Sequence, residues 1–254
     1  MAEPVRAELM GLAFDPASMQ SAVEQCLQWC SGPRASHTVI TANAGVLCMM
    51  RRDPELQQAC RSGDLVLADG MSVVWALRLA STPVPERVTG VDLMSRLLEA
   101  GAARGLRVFF LGAKEEVVRQ MADSCAASYP GLVVAGFRNG YFSEADHPAV
   151  LEQIRQSRPD MLFVGMPSPF KEVFLERNRA LLEVPILMGV GGSFDVLAGA
   201  VARAPSWLQA VGMEWSWRLL MEPRKMWKRY LTTNTEFLWT AGREALARRL
   251  GAST

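Results

Sequence analysis

At 254 residues, the chain is long enough to bury one full core, or one core with an appendage. Half of it is apolar, yet no apolar run reaches the eighteen residues of a membrane span. Its start, MAEPVRAELMG, lacks the charged-then-apolar pattern of a signal peptide, so no such leader is expected. The net charge of +1 hides an uneven distribution: from Arg203 onward nine basic residues face four acidic ones, leaving −4 on residues 1–202. Five of the seven tryptophans also fall in that tail, an asymmetry that points to an anionic partner. Five scattered cysteines and only two histidines, His37 and His147, predict buried free thiols in a reducing compartment, the cytosol.

In chain order, Leu9 to Ala13 reads as a first strand and about Pro16 to Cys30 as a helix. Thr38 to Thr41 is a strand that ends in Thr41-Ala-Asn43. A helix through Val46 to Met50 follows, and Asp53-Pro54 caps another that runs to about Ser62. The apolar run Leu65-Val66-Leu67 is a buried strand that stops at Asp69-Gly70, before a helix from about Met71 to Leu79. A short polar loop then carries Arg87, Thr89 and Asp92. The remaining pattern predicts helices from about Asp92, Lys114, Ala145 and Phe170. They alternate with strands over Arg107–Leu111, Leu132–Gly136, Met161–Val164 and Ile186–Val190. Gly191-Gly192-Ser193 opens a final short helix. This alternation predicts a mostly parallel, Rossmann-like α/β sheet with helices on both faces.

Four predicted strand ends carry polar or glycine-rich tips: Thr41/Asn43, Asp69, Gly165 to Glu172, and Gly189 to Asp195. Ligands of open α/β sheets bind at the carboxyl ends of the strands, so tips that converge there suggest a site. Two of them have a plainer explanation as well. Asp69 and Arg87 suit an N-cap and a surface ion pair, and the glycine run suits a tight turn. That run lacks both the dinucleotide spacing and the Walker lysine.

These strings together resemble the WecG/TagA/CpsF family of bacterial glycosyltransferases, glycosyltransferase family 26. The resemblance rests on Thr41-Ala-Asn43, Ala68-Asp69-Gly70, Glu86-Arg87-Val88-Thr89-Gly90, Ser168-Pro169-Phe170-Lys171-Glu172 and Gly189-Val-Gly-Gly-Ser-Phe-Asp195. In the tail it continues through Arg203-Ala-Pro205, Gly212-Met-Glu-Trp215, Arg218-Leu-Leu220 and Glu222-Pro-Arg224. It implies an inverting transfer from a UDP-sugar to a polyprenyl-diphosphate-linked saccharide, in cell-surface polysaccharide synthesis at the cytoplasmic membrane face. Asp69 is implied as general base, with Thr41 and Arg87 at the donor phosphates and acceptor. Asn43, Thr89, Ser168, Lys171, Glu172, Gly191, Gly192 and Asp195 are expected around the same pocket. Residues 203–254 are expected to form a helical, membrane-associating appendage to a catalytic domain over 1–202, bringing in Arg218, Lys225 and Lys228.

No cofactor and no metal are expected, because the sequence has no Asp-x-Asp pair of the kind that holds a metal on UDP. No nucleic-acid module is recognisable, and a homo-oligomer is compatible with the pattern. Two departures stand out: the family usually has Gln where this chain has Lys171, and Gly where it has Pro167. Lys171 has three candidate partners: a uronic carboxylate, the diphosphate, or Glu172 in a partly exposed pair. A rival reading is a non-catalytic membrane module of the same fold, with Lys171 marking lost chemistry.

Overall fold

The computed structural model describes residues 6–80, 84–199, 203–205, 208, 214–221, 233–244 and 247, without the side chains of Trp215 and Arg218. The chain opens with a hairpin, β1 (Ala7–Leu9) and β2 (Leu12–Phe14), paired antiparallel as a sheet of its own. The single strand expected over Leu9–Ala13 is therefore broken in its middle. Met10 and Gly11 take positive φ values of 51° and 77°, which reverse the chain.

Then follow α1 (Met19–Ser31), β3 (His37–Ala42), α2 (Ala44–Met50), α3 (Pro54–Arg61), β4 (Leu65–Ala68), α4 (Met71–Leu79) and α5 (Gly90–Ala102). The second half contributes β5 (Arg107–Gly112), α6 (Glu115–Ser128), β6 (Val133–Arg138), α7 (His147–Ser157), β7 (Met161–Gly165), α8 (Phe170–Leu182), β8 (Ile186–Gly189) and α9 (Ser193–Leu197). In the tail lie α10 (Glu214–Met221) and a helix over 233–244, here α11.

The six strands β3 to β8 form one sheet in the order β4-β3-β8-β7-β5-β6, parallel at every pairing. Successive apolar residues point to opposite faces, and so β3, β4, β5, β7 and β8 each feed two cores. Val39, Leu65, Leu67, Phe110, Phe163 and Met188 join the core that holds residues of α1, α5 and α6. Ile40, Val66 and Ala68 join the core beneath the hairpin, α2 and α4, while Phe109, Leu162 and Leu187 join the one beneath α7 and α8. This two-sided burial explains why the strands read as continuous apolar runs rather than as alternating patterns.

The tail is tied to this body. Phe237 and Ala241 of α11 belong to the hairpin core, with Phe237 only 2% exposed. Arg51 and Arg52 pair with Glu236 at 3.2 and 2.7 Å, and the Met10 amide donates to Glu244 at 2.8 Å. Phe237→Ala should therefore cost about 3 kcal/mol through the cavity it leaves, read from urea unfolding. A loss below 1 kcal/mol would mean that α11 adds little to the core.

All five cysteines are free, and four of them are buried. Burial pushes the thiols up from the ordinary 9.0, to about 11 at Cys48 and to about 12 at Cys30, Cys60 and Cys125. Cys26 moves the same way, burial again dominating and Cys30 adding to it. The folded chain thus holds protons that the unfolded chain releases above 9.0, so this contribution is complete below that pH and is lost as pH rises through 11 to 12. The urea midpoint should fall between pH 8 and pH 10; an equal or higher midpoint at pH 10 would contradict this.

Candidate active site

The four tips singled out in the sequence end the four adjacent strands β4-β3-β8-β7, all at the carboxyl edge of the sheet. Backbone bonds draw the central part of this edge together. The Asp69 amide donates to the Ala42 carbonyl at 3.0 Å, which extends the β3–β4 ladder by one residue and fixes the half-buried acid beside Thr41-Ala-Asn43. The Val88 amide donates to the Ala68 carbonyl at 3.0 Å, so the loop that carries Arg87 and Thr89 lies against the end of β4. Gly90, the first residue of α5, packs over β3: a Cβ there would lie 3.0 Å from Thr41 Oγ1. Asp69, Thr41 and Arg87 are thereby brought to one place by three separate contacts. Gly70, which takes φ 126°, is the N-cap residue of α4 and turns the chain out of the strand directly after Asp69.

Two candidates also hold helices in place. The Asn43 side chain accepts from the amides of Gly45 and Val46 at 3.0 and 3.2 Å, capping α2. Thr89 is buried and caps α5 through the Asp92 amide, while its hydroxyl donates to Asp92 Oδ2. Both side chains are committed to backbone order at the site.

The loop after β7 and the first turn of α8 differ most from a surface pocket lining. Lys171 is 8% exposed and Glu172 2%, and the Lys171 ammonium donates to Glu172 Oε1. Ser168 Oγ donates to the same oxygen at 2.7 Å. The alkyl stem of Lys171 lies against Gly189, where a Cβ would come within 2.9 Å of its Cδ. Of the three partners open to Lys171, the structure shows Glu172, and the pair is buried rather than partly exposed. Glu172 Oε2 has no hydrogen-bond partner among the described residues.

After β8, Gly191 takes φ 54° and Gly192 precedes α9, a helix of five residues. Val190's carbonyl accepts from both the amide and the hydroxyl of Ser193, at 3.2 and 2.7 Å. The first amide of α9 is therefore used locally. Asp195 Oδ2 lies 3.8 Å from where a Cβ on Gly192 would stand. The side chain of Arg218 is not described, and Lys225 and Lys228 lie outside the described residues.

Two further charges, Glu214 and Arg203, enter the site from a distant part of the chain, which the spacing of the sequence could not assemble. Glu214, at the start of α10, accepts from Arg87 Nη1 at 2.8 Å. Arg203 Nη2 donates to Asp92 Oδ1 at 2.6 Å, and Arg203 Nε stands 3.7 Å from Glu214 Oε1. The partners lie 111 and 127 positions apart, so only the fold reveals them.

A parallel sheet covered on both faces, with an acid, a cation and a hydroxyl gathered at its carboxyl edge, is the arrangement of α/β proteins that take ligands at that edge. The chain belongs to the glycosyl transferase WecG/TagA/CpsF family, whose model matches residues 7–251, and it is a glycosyltransferase. It is 35% identical over 194 residues to an N-acetylglucosaminyldiphosphoundecaprenol N-acetyl-beta-D-mannosaminyltransferase of Bacillus spizizenii, covering 76% of this chain and 74% of that protein. The enzymes of the same name from Bacillus subtilis and Staphylococcus aureus are 34% and 30% identical. These matches cover 76% and 88% of this chain, and 75% and 86% of the two relatives.

Proposed function

We propose that the chain moves a sugar from a UDP-sugar to a saccharide carried on a polyprenyl diphosphate, with inversion at the anomeric carbon. The observation that carries this reading is the gathering of Asp69, Thr41 and Arg87 at the carboxyl edge of a sheet in a member of this family. Asp69 takes the proton of the acceptor hydroxyl, whose oxygen attacks the anomeric carbon from the side opposite UDP. The bond from that carbon to the phosphate oxygen breaks, and its electron pair leaves with UDP. Arg87 stabilises the charge that develops there, as a fixed dipole or cation does in a site shielded from water. A single positioned base suits inversion, whereas retention through a covalent intermediate needs two close carboxylates. The β linkage named in the relatives is what inversion of an α-linked nucleotide sugar yields.

The relatives' names make N-acetylglucosaminyl diphosphate lipid the first acceptor to test and N-acetylmannosamine the first sugar. We place the enzyme at the cytoplasmic membrane surface, with the tail as contact. No described helix is long and apolar enough to cross a membrane. Leu220, Met221, Leu238 and Trp239 are exposed on the two tail helices, on a segment with a net charge of +5. Such a mixture suits an anionic lipid interface. In this reading Arg218, Lys225 and Lys228 supply cations for the diphosphates, and the reaction needs no metal.

The test is acceptor-dependent UDP release from a panel of UDP-sugars, with a short-chain N-acetylglucosaminyl diphosphate lipid as acceptor. Release that survives EDTA is expected. No release from any donor would favour the non-catalytic module.

A further inference from the structure

Arg87, Glu214, Arg203, Asp92 and Thr89 form one alternating chain of charge that ends at the α5 cap. The Arg87–Glu214 pair is partly buried, its side chains 16% and 25% exposed, and it is short at 2.8 Å. Arg203 lies between the two acids, 2.6 Å from Asp92 and 3.7 Å from Glu214. Two cations and two anions nearly cancel, so the group adds little net field to the site. Its effect is on direction. An arginine has several rotatable bonds and five N–H donors in a rigid fork. A carboxylate fixed on one edge of that fork leaves the remaining donors aimed one way. The Arg87 loop is itself held against β4 next to Asp69, so the direction is set relative to the reacting edge.

We infer that Glu214 is a positioning residue for transfer: it orients Arg87 toward the departing diphosphate, with Arg203 and Asp92 holding Glu214 in register. This rests on the reading of Arg87 as the cation that meets the diphosphate. It also makes the seating of α10 a condition for a competent Arg87, so that the tail acts on the chemistry through a side chain of the body.

A double-mutant cycle tests this, with wild type, Glu214→Gln, Arg87→Ala and the double variant. Turnover is measured with UDP-N-acetylmannosamine and UDP binding by calorimetry. Glu214→Gln keeps the shape of the side chain and removes its charge. It should lower kcat about tenfold, in the range of coupling between neighbours in one ion-pair network, and shift UDP affinity by less than that. In the Arg87→Ala background it should add nothing. Glu214→Asp, which keeps the charge with a shorter reach, should recover part of the rate at a similar melting temperature. An equal loss of kcat in both backgrounds would make Glu214 a residue of the fold alone and overturn the inference, as would an unchanged kcat. Should Arg87→Ala itself bind UDP and turn over like wild type, the assignment of Arg87 fails, and the inference with it. If no variant, wild type included, turns over this donor, the UDP-binding cycle decides. A change on Glu214→Gln only where Arg87 is present supports the inference, and none overturns it.

Discussion

Asp69→Asn should fold like the wild type and transfer sugar about a hundredfold more slowly or worse. The backbone bond from residue 69 to the Ala42 carbonyl does not depend on the side chain, and the residue is half-buried at a strand tip. Asparagine keeps the size of the side chain and loses the ability to take a proton. Positioned general bases contribute roughly a hundred- to ten-thousandfold, so the loss should appear in kcat while UDP still binds. The comparison is initial rates of UDP release, beside far-UV circular dichroism and melting of both proteins. Turnover within a few-fold of wild type, with the fold intact, would remove Asp69 from the base role.

Lys171→Met should be the most destabilising change at the edge of the sheet. It leaves the Glu172 carboxylate, 2% exposed, with Ser168 as its one remaining partner among the bonds described at Oε1. Removing one member of a buried ion pair costs about 3–5 kcal/mol, because the other charge stays behind in a poor solvent. Lys171→Gln, which restores the residue usual in the family, supplies a donor but no charge and should fall between Met and wild type. On the sequence alone, that replacement reads as nearly neutral for stability and felt mainly in donor choice. The buried pairing with Glu172 reverses that order. Converting Glu172 to Gln in the Lys171→Met background should recover most of the loss, since no charge is then left unpaired. Urea unfolding followed by tryptophan fluorescence measures all three. Stability within 1 kcal/mol of wild type for Lys171→Met would show that the pair contributes nothing.

The strands and the location of the tips were legible because each depends on local chemistry. Apolar runs such as Leu65-Val66-Leu67 have to be buried on two faces, and the glycines and polar residues that follow them have to turn the chain. The break inside Leu9–Ala13 was half legible: Gly11 is a turn residue, but Met10 at φ 51° gives no sign in the sequence. Thr89 and Asn43 carry a plain N-cap signature, yet the same hydroxyl and amide suit a substrate, and spacing alone could not choose. Burial of Lys171 was not legible, since a lysine in the first turn of a helix is usually solvated; the absence of a side chain at Gly189 makes room for its stem. The pairing of Arg87 with Glu214 was equally hidden, because ion pairs between distant segments follow from tertiary structure and leave no periodic trace.

A single-base, inverting transfer onto a lipid-linked sugar fixes the anomeric configuration of the product. The wild-type chain is incubated with α-linked UDP-N-acetylmannosamine and a short-chain N-acetylglucosaminyl diphosphate lipid, and the new disaccharide is read by NMR. A β linkage is the result expected from attack opposite the leaving UDP with Asp69 as the one base. An α linkage would mean retention, and would contradict the mechanism.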